Sequence, residues 1–383
     1  MRKTRTWAAV FLILLASRMP AQAEDLAPWR YVQALQALQD KIAHGDARAY
    51  AAQRGLMAYM GRQFAAMPVG VWKQRRNAEA LFVYLLSGGM PMAAGKLLKT
   101  GMMAALPAGA LEGAVAFARG RNGLAWSHLA KLDDSGLSIT ARTQLALTRA
   151  SLRAAADPDK ALRLLDAVRL LKPGTLQEEA ALRRSVFIAG SRGEAGRFRH
   201  LSSAYMRRFA DSWYAAGFLR TFAGLLARLD AEERPFLTKR MLPVIRRLSA
   251  RQRKLVFAAS ARTALLLGKP GLARAFVARA MPLAAQDERL LERLALWKAA
   301  ADAASPSPQK ALKRLRALRA DALPPPDRKL RVAALLIGEA IMREPRIYGG
   351  KPRTSMDKDI APVLMRARAM IAGVNAMLKK GMK

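Results

Sequence analysis

Cysteine is absent from this chain of 383 residues, so no disulfide, thiolate metal site, cysteine nucleophile or cysteine-linked lipid anchor can form. Histidine is scarce as well, and its three copies, His44, His128 and His200, are far apart in the sequence. Acidic residues are outnumbered, with 28 Asp and Glu against 66 Lys and Arg. The residue types that most metal centres and nucleophilic active sites use are therefore in short supply.

Familiar catalytic motifs are missing too, since no H-E-x-x-H, G-x-S-x-G, P-loop or G-x-G-x-x-G occurs. Adjacent acids occur at four places, Asp133-Asp134, Glu178-Glu179, Glu232-Glu233 and Asp287-Glu288. Three of these pairs fall in the first turn of a predicted helix, where carboxylates cap N–H groups and favour the helix dipole. We interpret them as caps rather than as the acid and base of a glycosidase. The sequence thus predicts a protein that is not an enzyme and holds no cofactor or metal.

The start of the chain has the pattern of an export signal. Three basic residues among the first five precede an uncharged apolar run at residues 7–16, which is too short to span a membrane as a helix. An A-x-A cleavage site ends at Ala23, so we expect residues 1–23 to be a cleaved signal peptide and the mature chain to begin at Glu24. An uncleaved anchor is the alternative. After signal removal we expect no transmembrane segment, and we expect the mature protein in the periplasm.

The charge of the chain favours anionic partners. Its formal net charge is +38, and +34 remains when the four basic residues before Glu24 are removed. Such a surface attracts acidic proteins, anionic lipid or glycan, and nucleic acid. The basic residues are spread along every predicted helix, so a generally solvated cationic surface and a dedicated polyanion site both stay open. Because we expect export, we expect no nucleic-acid partner.

Helical periodicity runs through almost the whole chain after residue 24, and no strand-length run alternates apolar and polar residues. Glycine or proline turns recur at spacings of about 32–43 residues, with one spacing of about 77 that we interpret as two repeats, and this is typical of helix-pair repeats such as TPR arrays. The predicted fold is all-α, a TPR-like α-solenoid of stacked antiparallel helix pairs. An irregular all-helical domain is the alternative.

Proline-rich stretches divide this pattern. Residues 302–308 and 324–326 are the two weak points, and the pattern between and after them is still helical. We predict a helical-repeat domain at residues 24–304 and C-terminal helices at residues 305–383 that continue or cap the solenoid.

Helix starts are marked by capping boxes. Thr175 with Glu178, and Asp230 with Glu233, have the spacing of an N-cap residue and its reciprocal partner three residues later. Each pair predicts that a helix begins there.

The clearest helix pair lies in residues 185–218. Phe198, Leu201, Tyr205 and Phe209 fall on one face of a helix at intervals of three or four residues and are predicted to lie in the core.

A partner-binding face is predicted beside this core. Arg207 and Arg208 can form a fork that pairs with carboxylates of another protein. Trp213 and Tyr214 follow them, and we expect these two aromatic residues at a junction between repeats. The four residues together are the predicted contact site, and full solvation of the arginines is the alternative.

Three segments resemble a known family. They are residues 31–54 (YVQALQALQDKIAHGDARAYAAQR), 76–89 (RNAEALFVYLLSGG) and 205–218 (YMRRFADSWYAAGF). In amino-acid sequence and in their order along the chain they are similar to MotC, the periplasmic flagellar motility protein family of alphaproteobacteria. This resemblance implies a non-enzymatic accessory of the flagellar motor that is required for rotation and binds the periplasmic part of the stator protein MotB.

Two other functions stay open from the residues alone. The chain fits a periplasmic helical scaffold that binds anionic cell-wall or envelope components directly. It also fits the helical superstructure of a murein-cleaving enzyme, for which the paired acids would be the catalytic candidates.

Overall fold

The computed structural model of the chain describes residues 27–100, 105–233, 236–305, 307–321 and 323–343. Within these ranges the chain forms seventeen α-helices and no β-strand, so the all-α prediction is confirmed. The predicted signal peptide, its cleavage site at Ala23 and Glu24, and residues 344–383 of the predicted C-terminal region lie outside the described residues.

The N-terminal half contains helices of uneven length, from 6 to 20 residues. They are α1 (Pro28–Ala43), α2 (Ala47–Ala66), α3 (Arg75–Leu86), α4 (Gly95–Thr100), α5 (Ala110–Ala118), α6 (Asn122–Leu129) and α7 (Ile139–Arg153). Asp46 begins α2, because its carboxylate accepts the N–H groups of Arg48 and Ala49 at 2.8 and 2.9 Å. The core here surrounds α3, where Tyr84 is fully buried, donates to the Met57 carbonyl and accepts the Met90 N–H, both at 2.9 Å.

Ten further helices with more regular spacing follow in the described residues. They are α8 (Pro158–Leu171), α9 (Leu176–Ser191), α10 (Ala195–Arg208), α11 (Ala215–Glu233), α12 (Phe236–Ile245), α13 (Ala250–Leu266), α14 (Pro270–Ala280), α15 (Glu288–Ala303), α16 (Gln309–Ala317) and α17 (Pro325–Met342).

From α7 onward the helices form two layers. In the first layer α7, α9, α11, α13, α15 and α17 each contact the next, and their starting residues are 35–39 positions apart. The even-numbered helices form the second layer and pack against the odd-numbered helices beside them. Short turns join consecutive helices, so each odd helix and the even helix after it form a pair.

One apolar core runs through the second half of the molecule. It extends from Leu182 on α9 to Ala334 on α17 and includes Trp297 on α15. Phe198, Leu201, Tyr205 and Phe209 are 0–3% exposed within it, as the helical spacing predicted. α16 and α17 contribute Ala311, Leu315 and Ala334 to the same core. The division after residue 304 stays a prediction.

The first helix pair packs against the middle of the stack rather than only against its sequence neighbours. The Trp213 N–H donates to the Ile42 carbonyl at 3.2 Å, and Ala43 belongs to the core of the second half. Gly45, in the turn after α1, has φ +92°, and a Cβ there would lie 2.4 Å from the Asp211 carbonyl oxygen. Glycine is therefore needed at this contact for both its conformation and its size.

One predicted helix start is wrong. Asp230 lies near the C-terminal end of α11 instead of at the beginning of a helix. Its carboxylate reaches forward and accepts the Thr238 N–H at 3.0 and 3.1 Å, in the first turn of α12. A carboxylate eight residues upstream thus satisfies a free N–H of α12, which the spacing of an ordinary capping box does not describe.

Candidate partner-binding surface

The predicted contact residues surround a buried pair of carboxylates in the first turn of α9. Thr175 caps this helix by accepting the Glu178 N–H at 3.5 Å, and the Glu178 side chain accepts the Gly174 N–H at 2.7 Å. Glu178 is 1% exposed and Glu179 is fully buried. The capping interpretation thus fits Glu178, whereas Glu179 has a different set of partners.

Glu179 links α9, α10 and the loop that follows α10. Its carboxylate accepts the Tyr205 hydroxyl at 2.7 Å and the Arg183 Nε–H at 2.8 Å, and the Ser212 hydroxyl lies 3.4 Å away. Burial is the main reason that the pKa of Tyr205 lies far above its ordinary value, and the negative charge of Glu179 raises it further. Tyr205 therefore stays protonated and donates to Glu179 throughout the physiological pH range.

Arg207 and Arg208 end α10 and have different environments. The Arg208 guanidinium forms an ion pair with the buried Glu178 carboxylate, although 54% of the Arg208 side chain is exposed. Arg207 is exposed and forms no ion pair within the described part of the chain. Arg208 therefore balances a buried charge of its own protein, while Arg207 is available to a partner.

Trp213 and Tyr214 lie at the junction between the first helix pair and the stack. The Trp213 ring stacks on Tyr50 of α2 with 4.6 Å between centroids, and 44% of Trp213 is exposed. The Tyr214 ring meets the Tyr50 ring edge-on, with 5.9 Å between centroids. The Arg183 guanidinium lies over the Tyr214 ring, 4.8 Å from its centroid. Trp213 thus combines a fixed position with an accessible face, as a binding residue requires.

Trp213 also lines a large groove. The groove has a volume of about 930 Å³ and is formed by the loop before α11 and by residues of α11, α13 and α15, from the first turns of these helices as far as Arg262 and Trp297. These three helices are neighbours in the layer of odd-numbered helices. Equivalent positions near their N-terminal ends therefore lie side by side at the groove. We call this surface the cationic groove and define it by its six basic side chains, Arg220, Arg251, Lys254, Arg262, Arg289 and Arg293.

The basic side chains of the cationic groove are only partly balanced. Lys254 pairs with Asp287 at 2.9 Å, and Arg293 pairs with the buried Asp327 at 2.6 Å. Arg220, Arg251 and Arg289 are exposed and form no ion pair within the described residues. The groove therefore carries an excess of positive charge in a concave surface, where the field of several cations adds.

A smaller polar cleft of about 250 Å³ lies between the first helix pair and α7 and α9. Four glutamine side chains, Gln39, Gln53, Gln144 and Gln177, line it together with Arg184. The surrounding protein and the neighbouring Arg183 lower the pKa of Arg184, and Glu179 opposes this effect. The guanidinium stays charged, so the cleft is a second, smaller cationic site.

Comparison with known proteins identifies the family of this chain. The family model described as chemotaxis protein MotC matches residues 1–379. The chain belongs to the MotC family. The chemotaxis protein MotC of Rhizobium meliloti (strain 1021) is 29% identical over 323 residues, which is 84% of this chain and 74% of that protein. No solved structure matches the chain.

Membership of the MotC family confirms the resemblance that the three sequence segments carry, and it connects the chain with flagellar motility and chemotaxis. MotC is a family of motility accessory proteins and not a known enzyme family. In this MotC-family chain Asp133 and Asp287 accept N–H groups of nearby backbone at 3.0 and 3.1 Å, which is a structural use of carboxylates. Across the described ranges no helix is long and apolar enough to cross a membrane, and no three His, Asp or Glu side chains converge as metal ligands.

The sequence prediction missed the cationic groove of this MotC-family chain. It placed the contact site at Arg207, Arg208, Trp213 and Tyr214, and of these only Trp213 lines the groove. A usable signal was present, because Arg251 and Arg289 occupy the second position of their helices, in repeats that begin 38 residues apart. Comparing equivalent positions of successive helices would have brought these residues together.

Proposed function

We propose that this chain is a non-enzymatic accessory protein of the flagellar motor, that it works in the periplasm, and that it binds the periplasmic part of the stator protein MotB. The observation that carries the proposal is the match of the MotC family to residues 1–379. The export pattern before Glu24 supports the periplasmic location, since a basic start, a short apolar run and an A-x-A site occur in that order.

The fold supports a binding role. We propose that the two layers from α7 to α17 are a TPR-like α-solenoid, because the odd helices repeat every 35–39 residues and contact their nearest neighbours. Solenoids bind partners along extended surfaces instead of in one deep pocket. The cationic groove has this extended character, because residues of three successive odd-numbered helices line it together with Trp213.

Location is tested first. Cell fractionation should place the mature protein in the periplasmic fraction, and sequencing of its N-terminus should start at Glu24. A protein that stays in the cytoplasm, or that keeps residues 1–23 in the membrane, would contradict the proposed compartment.

MotB binding is tested with the purified periplasmic domain of MotB from the same organism. Arg207→Glu is the informative charge reversal near the predicted contact site. Reversing Arg208 would place a carboxylate against the buried Glu178 and disturb the fold. Arg199→Glu is the matched control, since Arg199 is an exposed arginine of the same helix. Weaker binding for Arg207→Glu alone supports the contact, and equal binding for both variants removes Arg207 from the site.

The second candidate function is a scaffold for anionic cell-wall or envelope components, and the unbalanced charge of the cationic groove is the observation that favours it. Co-sedimentation with peptidoglycan sacculi at rising salt tests it, because ionic contacts of exposed groups weaken as screening increases. Sedimentation at low salt that disappears above physiological salt would support the scaffold, and its absence at low salt would exclude it.

The murein-cleaving alternative makes a different prediction. It requires paired acids that face a substrate, whereas Glu178 and Glu179 are buried and bonded to their own protein. Release of soluble fragments from sacculi by the purified protein would support this alternative. We expect none.

A further inference from the structure

We propose that the cationic groove binds an amphipathic α-helix of a partner protein, with the apolar face of that helix against the groove floor and its acidic side chains against the groove rim. The inference deepens the proposed function, on which it rests in one respect: it assumes that the chain docks another protein. It adds the location of the docking site and the chemistry of the segment bound.

The floor of the groove is apolar and made of small or medium side chains. Ala215, Ala216 and Leu219 of α11 lie beside Leu255, Ala258 and Ala259 of α13, and Leu290 of α15 completes the floor. Ala215, Leu219 and Ala258 are buried, whereas Ala216 is exposed and Ala259 is half-buried, so the small accessible side chains of the floor leave room above them for larger side chains of a partner. An amphipathic helix places its apolar residues along one such stripe.

The rim of the groove is basic. Arg220 on α11, Arg251 on α13 and Arg289 on α15 are exposed, lie on three successive helices of one layer and form no ion pair within the described residues. Two carboxylates, Asp211 and Asp287, also line the groove, but its six basic side chains outnumber them. Acidic side chains beside the apolar stripe of a partner helix would supply the missing charges. This complementarity selects an acidic partner over a neutral or basic one.

The lining of the groove favours a helix over a glycan strand. The groove has a volume of about 930 Å³, is lined by residues of three neighbouring helices and has an apolar floor. Glycan and phosphate polymers carry hydroxyl or phosphate groups along their whole length, and burying these groups against an apolar floor without hydrogen bonds is unfavourable. Trp213 also lines the groove and is 44% exposed, so it offers an aromatic anchor for an apolar residue of the partner.

The experiment uses the full mature chain and a synthetic helical peptide with a Leu and Ala stripe flanked by Glu. Fluorescence anisotropy of the labelled peptide measures binding near physiological salt. Two further peptides are compared: one with every Glu replaced by Lys, and one of identical composition in scrambled order. We expect the acidic amphipathic peptide to bind at least about tenfold more tightly than either of the other two.

Three substitutions made together, Arg220→Glu, Arg251→Glu and Arg289→Glu, reverse the rim. We expect them to weaken peptide binding by about tenfold or more. The matched control changes the same net charge on exposed residues outside the groove, with Arg199→Glu, Arg247→Glu and Arg279→Glu, and should weaken binding by less than about twofold. Circular dichroism and melting curves verify that both proteins are folded.

A second variant tests the floor without changing charge. Ala216 is exposed at the first turn of α11, so Ala216→Trp should fill the groove and weaken binding of the acidic amphipathic peptide by a similar factor. The inference is overturned if the scrambled acidic peptide binds as well as the ordered one, if rim and control reversals weaken binding equally, or if Ala216→Trp has no effect. Binding of sacculi that the rim reversal alone abolishes would assign the groove to glycan instead and would also overturn it.

The same proteins separate this inference from the proposed function. If wild-type protein binds the MotB periplasmic domain and the rim reversal leaves that affinity unchanged, the proposed function stands and the groove is not the docking site. If wild-type protein binds the acidic helix but not the MotB domain, the groove inference stands and MotB is not the partner.

Discussion

Replacing Glu179 with glutamine removes the charge from the most enclosed acidic group of the α9–α10 junction while keeping its shape. The fully buried carboxylate accepts the Tyr205 hydroxyl at 2.7 Å and the Arg183 Nε–H at 2.8 Å. The substitution Glu179→Gln keeps an oxygen near Tyr205 but leaves Arg183 without its counter-charge. Tyr205→Phe removes the hydroxyl donor and leaves the ion pair in place.

The magnitudes follow from these contacts. A buried hydrogen bond to a charged acceptor contributes about 1.5–3 kcal/mol, so Tyr205→Phe should cost about 1.5 kcal/mol. Arg183 is 34% exposed, which reduces the value of its ion pair to below about 1 kcal/mol. Glu179→Gln should therefore cost about 2 kcal/mol. Because both variants remove the charge-assisted bond, the double variant should cost about 1 kcal/mol less than the sum.

Urea unfolding, followed by circular dichroism, measures the four proteins of this double-mutant cycle. Glu339→Gln is the matched control, since Glu339 is 41% exposed and pairs with Arg316 at the surface, and it should cost less than about 0.5 kcal/mol. Additive effects of Glu179→Gln and Tyr205→Phe, or a cost of Glu179→Gln no larger than that of Glu339→Gln, would refute the reasoning that this buried network holds the junction together.

Three further predictions concern the stability of the fold. Gly45→Ala should destabilise the protein by more than Gly88→Ala, because both glycines have φ near +90° but only at Gly45 would a Cβ collide with another segment. The difference between the melting temperatures of the two variants measures the cost of that collision, and equal melting temperatures would contradict it. Stability should fall as pH rises above about 10, because tyrosine ionises there in the unfolded chain while folding raises the pKa of Tyr205. The urea midpoint of Tyr205→Phe should therefore depend less steeply on pH than that of the wild-type protein, and an equal dependence would contradict this prediction. Asp327→Asn should cost about 2–3 kcal/mol, because the buried carboxylate bonds an arginine and a tryptophan of α15, whereas the exposed surface control Asp321→Asn should cost less than about 0.5 kcal/mol; equal urea midpoints would argue against the difference.

Local rules predicted the helices and the buried face of α10 well. The spacing of Phe198, Leu201, Tyr205 and Phe209 follows directly from the 3.6-residue period, and each side chain is buried. Such patterns depend on neighbours three or four residues away, so the sequence contains all the information that they need.

Contacts between distant residues were beyond these rules. From the sequence, Glu178 and Glu179 were both interpreted as caps. The structure instead buries Glu179, and Tyr205, which is 26 residues later in the chain, donates a hydrogen bond to its carboxylate. Asp230 was predicted to begin a helix, and instead its partner is the N–H of Thr238. Hydrogen bonds of this kind depend on how helices pack, which periodicity does not report.

The candidate site was predicted only in part for the same reason. Trp213 was singled out from its position between two helices, and it does lie at a junction, where it stacks on Tyr50 of a helix more than 160 residues earlier in the chain. The cationic groove needs three helices whose starts are 35 and 38 residues apart to lie in one layer. Net charge alone predicted anionic partners but gave no location for them.

Titration calorimetry of the mature protein with the periplasmic domain of MotB measures directly whether this chain docks the stator. We expect saturable binding that weakens as salt increases, because charged groups contribute to it. Heat changes no larger than those of dilution, obtained with both proteins shown to be folded, would contradict the claim that this member of the MotC family docks the stator.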